Sequence, residues 1–143
     1  PGSAVLDLGC GSGILSIAAL RLGAESAFAC DIDEKCVDVA YENAALNGIG
    51  KDRYTVRWGN VLTDAALRQE MGTGYDIVVA NIVADVIMGL SPHVRPFLKP
   101  GGLFLCSGII DERAAEVLEK LKADGWDVFE QRSSEGWFSY LCK

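Results

Sequence analysis

The run Val5-Leu6-Asp7-Leu8-Gly9-Cys10-Gly11-Ser12-Gly13, followed at once by the helical pattern Ile14-Leu15-Ser16-Ile17-Ala18-Ala19-Leu20, constrains this chain more than any other feature. A buried strand runs into a glycine turn and then a helix, the local order that builds nucleotide-shaped ligand sites in α/β proteins. Glycine permits the tight turn and lets a ligand approach the backbone with no β-carbon in the way. The spacing then separates ligand classes. A dinucleotide fingerprint, G-x-G-x-x-G, needs a third glycine at position 14. This chain has Ile14 there and Gly13 one place earlier, which leaves G-x-G-x-G with an acid two residues before the first glycine.

That acid bears on the ligand's charge. A helix N-terminus attracts a pyrophosphate, and an aspartate beside the loop opposes it. S-adenosylmethionine carries a sulfonium and an ammonium and no phosphate, so a carboxylate at Asp7 favours it. The run resembles motif I of the class I S-adenosylmethionine-dependent methyltransferases. The resemblance implies that Asp7, Gly9, Cys10, Gly11 and Gly13 belong to the cofactor site. A strand-to-helix turn with glycines for packing alone is the other reading.

Strands and helices alternate along the rest of the chain. Strands are expected at 5–8, 26–30, 54–58, 75–80 and 103–106, with two more near 126–131 and 137–142 joined by a polar turn at 133–136. Helices are expected at 13–22, 34–46, 62–71, 84–97 and 111–123, the fourth subject to early ending at Pro92 or Pro96. Residues 99–102 read as a turn. Apolar Ala114, Val117, Leu118 and Leu121 recur at helical spacing in the last helix. The expected fold is therefore α/β. It resembles the Rossmann-like methyltransferase architecture, a mostly parallel seven-stranded sheet with helices on both faces and an antiparallel last strand.

In open α/β sheets ligands bind outside the carboxyl ends of the strands. Asp31 ends the second strand, where a carboxylate can accept hydrogen bonds from both ribose hydroxyls. Asp33 is assigned the cap of the following helix, and Ile32 one face of an adenine. Asn60 follows the third strand, where class I enzymes often carry an acid for the adenine amine. An amide carbonyl can still accept that bond, and Val61 can close the other face. A plain polar turn is the alternative for this segment. Asn81 ends the fourth strand, where the class places residues against the transferring methyl group. Enzymes acting on planar nitrogens typically follow that residue with Pro-Pro-aromatic. Here Ile82-Val83-Ala84 follows, which favours an aliphatic amine.

At 143 residues the chain reads as one domain, and its net charge of −7 makes it a poor general binder of nucleic acid or anionic membrane. The odd number of cysteines (Cys10, Cys30, Cys36, Cys106 and Cys142), with no C-x-x-C, points to reduced thiols and a cytoplasmic setting. With His93 the single histidine, no metal site is expected.

With these residues placed, the chain resembles the catalytic domain of the PrmA family, bacterial methyltransferases of ribosomal large-subunit protein eleven. The likeness is carried by Leu6–Leu15, Asp31-Ile32-Asp33, Glu42–Gly48, Ala80-Asn81-Ile82-Val83-Ala84-Asp85, Leu98–Gly102 and Ser107-Gly108-Ile109. It implies methylation of lysine side chains and a terminal α-amine on a basic ribosomal protein. It also implies a separate N-terminal recognition domain. The chain starts at Pro1, directly before its first strand, so a fragment of a longer protein is expected.

The implied chemistry is in-line displacement at the sulfonium methyl by a neutral amine, with positioning as the main source of catalysis. A free lysine has a pKa near ~10.4 and must lose a proton first. No general base stands out, so water is expected to take it, and Asn81 is expected to orient the amine. Three alternatives stay open: a class I methyltransferase of another protein or a small molecule, an NAD-dependent oxidoreductase, and a module that keeps the fold without chemistry. The position-14 spacing and Asp7 count against the oxidoreductase.

Overall fold

The computed structural model of this chain describes residues 2–143. Its elements are β1 (Ala4–Leu8), α1 (Ile14–Arg21), β2 (Ser26–Asp31), α2 (Lys35–Leu46), β3 (Tyr54–Trp58), α3 (Ala65–Met71) and β4 (Tyr75–Asn81). Next come α4 (Ala84–Leu90), two 3-10 turns (Ser91–His93 and Arg95–Phe97), β5 (Leu98–Ile110), α5 (Asp111–Ala123), β6 (Val128–Ser134) and β7 (Trp137–Cys142). One seven-stranded sheet runs in the order β3-β2-β1-β4-β5-β7-β6. The pairs from β3 to β5 are parallel, and β7 is antiparallel to both of its neighbours. The expected sheet is the one observed.

Several boundaries differ from expectation for local reasons. The third helix starts at Ala65 because Asn60 Oδ1 accepts the Leu62 N–H (3.0 Å) and Asp64 Oδ1 caps the Leu67 N–H (3.0 Å), which makes 60–64 a turn. The fourth ends at Leu90. Proline has no N–H to give, and Pro92 and Pro96 each open a 3-10 turn. Residues 99–102 are not a free turn. Leu98 already pairs with Tyr75, and the register shifts before Leu103 pairs with Ile77. Gly102 sits at that irregularity, where an added β-carbon would lie 3.1 Å from the Tyr75 carbonyl. The last hairpin is tighter than expected, since β6 reaches Ser134 and only Glu135 and Gly136 turn, at φ 52° and 83°.

Strand alternation divides the core. Leu6 and Leu8 face the cluster containing Val78, Phe104, Ile87 and Val117. Val5 faces the other cluster, with Ile17, Leu20, Ala29, Tyr54 and Val56. Asp7 shares the Val5 side of the strand. The sheet order reverses direction at β1, which lies between β2 and β4, so the crevice outside the carboxyl ends of β1 and β4 is the topological switch point.

Candidate functional site

The glycine loop is anchored by β2 and α2. The N–H groups of Gly9 and Cys10 both donate to the Cys30 carbonyl at the end of β2 (2.9 and 3.0 Å). Asp31 Oδ2 accepts the Gly11 N–H (2.9 Å) and its Oδ1 accepts the Asp33 N–H (2.9 Å). Asn43 Nδ2 of α2 donates to the Ser12 carbonyl (3.0 Å). Asp33 Oδ1 accepts the Lys35 N–H (3.0 Å), the helix-start role expected of it.

The three glycines meet three different surroundings. A β-carbon on Gly9 would stand 2.5 Å from Cγ2 of Ile82, so the glycine loop and the loop after β4 touch there. One on Gly13 would stand 2.8 Å from the Tyr54 hydroxyl. Beside Gly11 nothing lies within 4 Å, and its φ is +54°, so its open side is free for a ligand while a larger side chain is disfavoured.

A cavity of about 490 Å³ opens at the crevice, and of the candidate site residues Gly9, Asp31, Ile32, Asn60 and Val61 line it. Leu62, Ile82, Val83, Asp85 and Val86 complete much of the wall. Ile32 is largely exposed and its backbone is held by the Trp58 indole, which donates to the Ile32 carbonyl (3.1 Å). Asn60 is less free than expected, because its side-chain carbonyl already accepts the Leu62 N–H.

Of the other expected residues, Cys10, Gly11 and Gly13 do not line this cavity, and Asp7 and Asn81 lie elsewhere. Asp7 is 1% exposed on the α1 side of β1, where its Oδ2 accepts the Ser16 hydroxyl (2.8 Å). Burial, only partly offset by the Ser16 hydrogen bond, pushes its carboxyl up to about 6. Asn81 is exposed and lines a second cavity of about 750 Å³ with Ser107, Gly108, Arg132, Ser133, Ser134 and Trp137. Neighbouring residues at the end of β4 thus serve two spaces, Asn81 the outer and Ile82 the inner. No carboxylate or imidazole lines the outer space.

Burial pushes the Cys30 thiol up to about 12, and the Cys10 thiol is also raised by burial and nearby acids. Both stay protonated at neutral pH and are poor nucleophiles. Among the described residues, no three His, Cys, Asp or Glu side chains gather as a metal site, and no helix is long and apolar enough to cross a membrane.

Sequence reasoning missed the contributions of Ile82, Ser16, Tyr54, Asn43 and Gly108. Asn43 leaves a signal, a polar residue beside buried Ala44 on the inward face of α2. The others act through contacts distant in sequence.

Comparison with known proteins follows the same line. The family model described as ribosomal protein L11 methyltransferase (PrmA) matches residues 1–143. A ribosomal protein L11 methyltransferase of Lachnoclostridium phytofermentans is 41% identical over 157 residues, covering 100% of this chain and 47% of the relative. One of Agathobacter rectalis is 45% identical over 140 residues, covering 97% of this chain and 43% of the relative. The crystal structure of a ribosomal protein L11 methylase from Lactobacillus delbrueckii subsp. bulgaricus superimposes with a TM-score of 0.89 at 31% identity. It covers all of this chain and 70% of that one. The chain spans less than half the length of the two curated relatives.

Proposed function

Because this chain belongs to the PrmA family of ribosomal protein L11 methyltransferases, we propose that its switch-point cavity binds S-adenosylmethionine for methylation of amines on that ribosomal protein. The observation that carries the reading is the glycine loop. Gly11 keeps an open side, while Asp31 fastens the Gly11 amide and lines the switch-point cavity.

The residues fit the cofactor. Asp31 retains acceptor capacity on its carboxylate for ribose hydroxyls. Ile32 and Val61 offer apolar surface on the cavity wall for an adenine, and the Asn60 amide lies at its edge. Asp7 adds negative charge beneath the loop, which suits a cation and opposes a phosphate. Bound there, S-adenosylmethionine supplies an electrophilic methyl group for direct displacement.

On the acceptor side, the Asn81 carbonyl can take an N–H of the incoming amine and so fix the direction of its lone pair. The outer cavity holds no base, and its charged lining residue, Arg132, is positive. That charge and partial desolvation disfavour an ammonium and favour the neutral amine. Water then takes the proton. Positioning, rather than acid–base chemistry, carries the rate.

Recognition of the ribosomal protein is assigned to the part of the family's length that this chain does not match. The setting proposed is the cytoplasm, with neither nucleic acid nor membrane as direct partner. The test is methyl transfer from labelled S-adenosylmethionine to the purified ribosomal protein, by this chain and by a full-length relative. Transfer by the full-length protein and little by residues 1–143 is expected. Efficient transfer by this chain alone would contradict the assignment of recognition.

A further inference from the structure

Three buried polar groups, one each from β1, α1 and β3, meet beneath the glycine loop. Ser16 Oγ lies 2.8 Å from Asp7 Oδ2, 2.7 Å from the Tyr54 hydroxyl and 3.3 Å from the Gly13 carbonyl. Asp7, Ser16 and Tyr54 are each at most 1% exposed. A serine hydroxyl has one proton to give, and an ionised carboxylate can only accept. The Ser16 proton therefore goes to the charged Asp7, which is closer than the Gly13 carbonyl and the stronger acceptor. The Tyr54 phenol must then donate to Ser16. Burial raises the phenol's pKa, so it keeps the proton it donates. The chain of donation runs Tyr54 to Ser16 to Asp7. If Asp7 were protonated it could donate to Ser16 instead, and the direction would reverse toward Tyr54 or the Gly13 carbonyl.

The ionisable groups around Asp7 are Asp31 from β2, Cys10 from the loop and Tyr54 from β3, with Cys30 of β2 on the opposite face of the sheet, and none of them is basic. Its negative charge thus rests on hydrogen bonds, with no cationic partner in the protein. We propose that Tyr54, acting through Ser16, holds Asp7 as a carboxylate beneath the glycine loop, so that the loop presents negative charge to a positively charged cofactor. Tyr54 and Ser16 are positioning residues. The inference rests on the reading of the cavity as a site for S-adenosylmethionine. It adds that charge selectivity depends on a phenol buried on the far side of α1's first turn. The raised carboxyl of Asp7, near 6, places the switch within reach of ordinary buffers.

The test uses Tyr54→Phe and Ser16→Ala beside the parent chain. One arm follows the Asp7 carboxyl carbon by NMR across pH 4–8 in the ligand-free protein. The other measures affinity for S-adenosylmethionine, which has the sulfonium charge, and S-adenosylhomocysteine, which lacks it. In Tyr54→Phe the Asp7 midpoint should rise by roughly half a unit to one unit, the size of a lost neutral hydrogen bond, and in Ser16→Ala, which loses the bond to the carboxylate itself, by roughly one to two units. At pH 6.5 affinity for S-adenosylmethionine should fall more than affinity for S-adenosylhomocysteine, by about two- to threefold in Tyr54→Phe and by more in Ser16→Ala. By pH 8 that difference should shrink. An unmoved Asp7 midpoint, or an equal loss of both ligands at every pH, would overturn the proposal and leave a packing role. If Tyr54→Phe fails to fold, Ser16→Ala decides by the same readouts. A parent chain that binds neither ligand would overturn the cofactor reading instead, while the NMR arm still decides the relay.

Discussion

Gly108, at the end of β5, stands against the Asn81 side chain, and a β-carbon there would overlap the amide oxygen. Its φ of +76° also disfavours larger residues. Asn81 pairs with Ser107 in the sheet, so the Ser107-Gly108-Ile109 segment cradles the residue assigned to orient the amine. Gly108→Ala should therefore displace Asn81. In a full-length relative, both Gly108→Ala and Asn81→Ala should lower kcat at least tenfold with little change in cofactor affinity, the pattern of an interaction used in the transition state. Steady-state kinetics beside calorimetry checks this. Lost cofactor affinity at unchanged kcat would place Asn81 in the cofactor site.

Asp7 should set a pH dependence of folding. Its carboxyl is raised from 3.8 to about 6 in the folded chain, so the native state binds that proton more tightly than the unfolded state. The associated stability is present at low pH and is lost as pH rises from about 4 to about 6, a change of about 3 kcal/mol at most. Asp7→Asn removes the titration. The stability of the variant relative to the parent should rise between pH 4 and 6.5 and stay level above, while affinity for S-adenosylmethionine falls. Denaturant unfolding at several pH values reads the first effect. A difference independent of pH would mean that Asp7 does not titrate in this range.

Two of the loop glycines should respond differently. Gly11→Val fills the open side and forces a β-branched residue to positive φ, so the folded variant should lose cofactor binding nearly completely. Gly9→Ala should instead strain the contact with Ile82 and lower thermal stability as well. Unchanged binding by folded Gly11→Val would move the site elsewhere.

Asp31→Ala should weaken cofactor binding by roughly 1–3 kcal/mol, the usual loss for a hydrogen bond to a charged group. The side chain also fixes the Gly11 and Asp33 amides, so a small stability loss should accompany it. A stability loss with affinity intact would leave Asp31 a purely structural brace.

The fold was legible because its signals are local. The strand–glycine–helix run, the apolar spacing of α5 and the β7 pattern end where their residues say they end. The start of β5 was hidden, since Lys99-Pro100-Gly101-Gly102 has turn chemistry and only the pairing of Leu98 with Tyr75 draws it into the sheet. At the site, the end of the second strand pointed to Asp31 and Ile32, the resemblance pointed to Asn60 and Val61, and the four line one cavity. That Asp7 is buried follows from its alternation with Val5, but its Ser16 and Tyr54 partners come from a helix and a distant strand. Gly108 carried no local reason for being glycine until Asn81 was seen against it.

Calorimetric titration of this chain with S-adenosylhomocysteine, with NAD as control, tests the central claim most directly. Saturable one-to-one binding of S-adenosylhomocysteine and no heat with NAD is the predicted result. Binding of NAD with none of S-adenosylhomocysteine would contradict it.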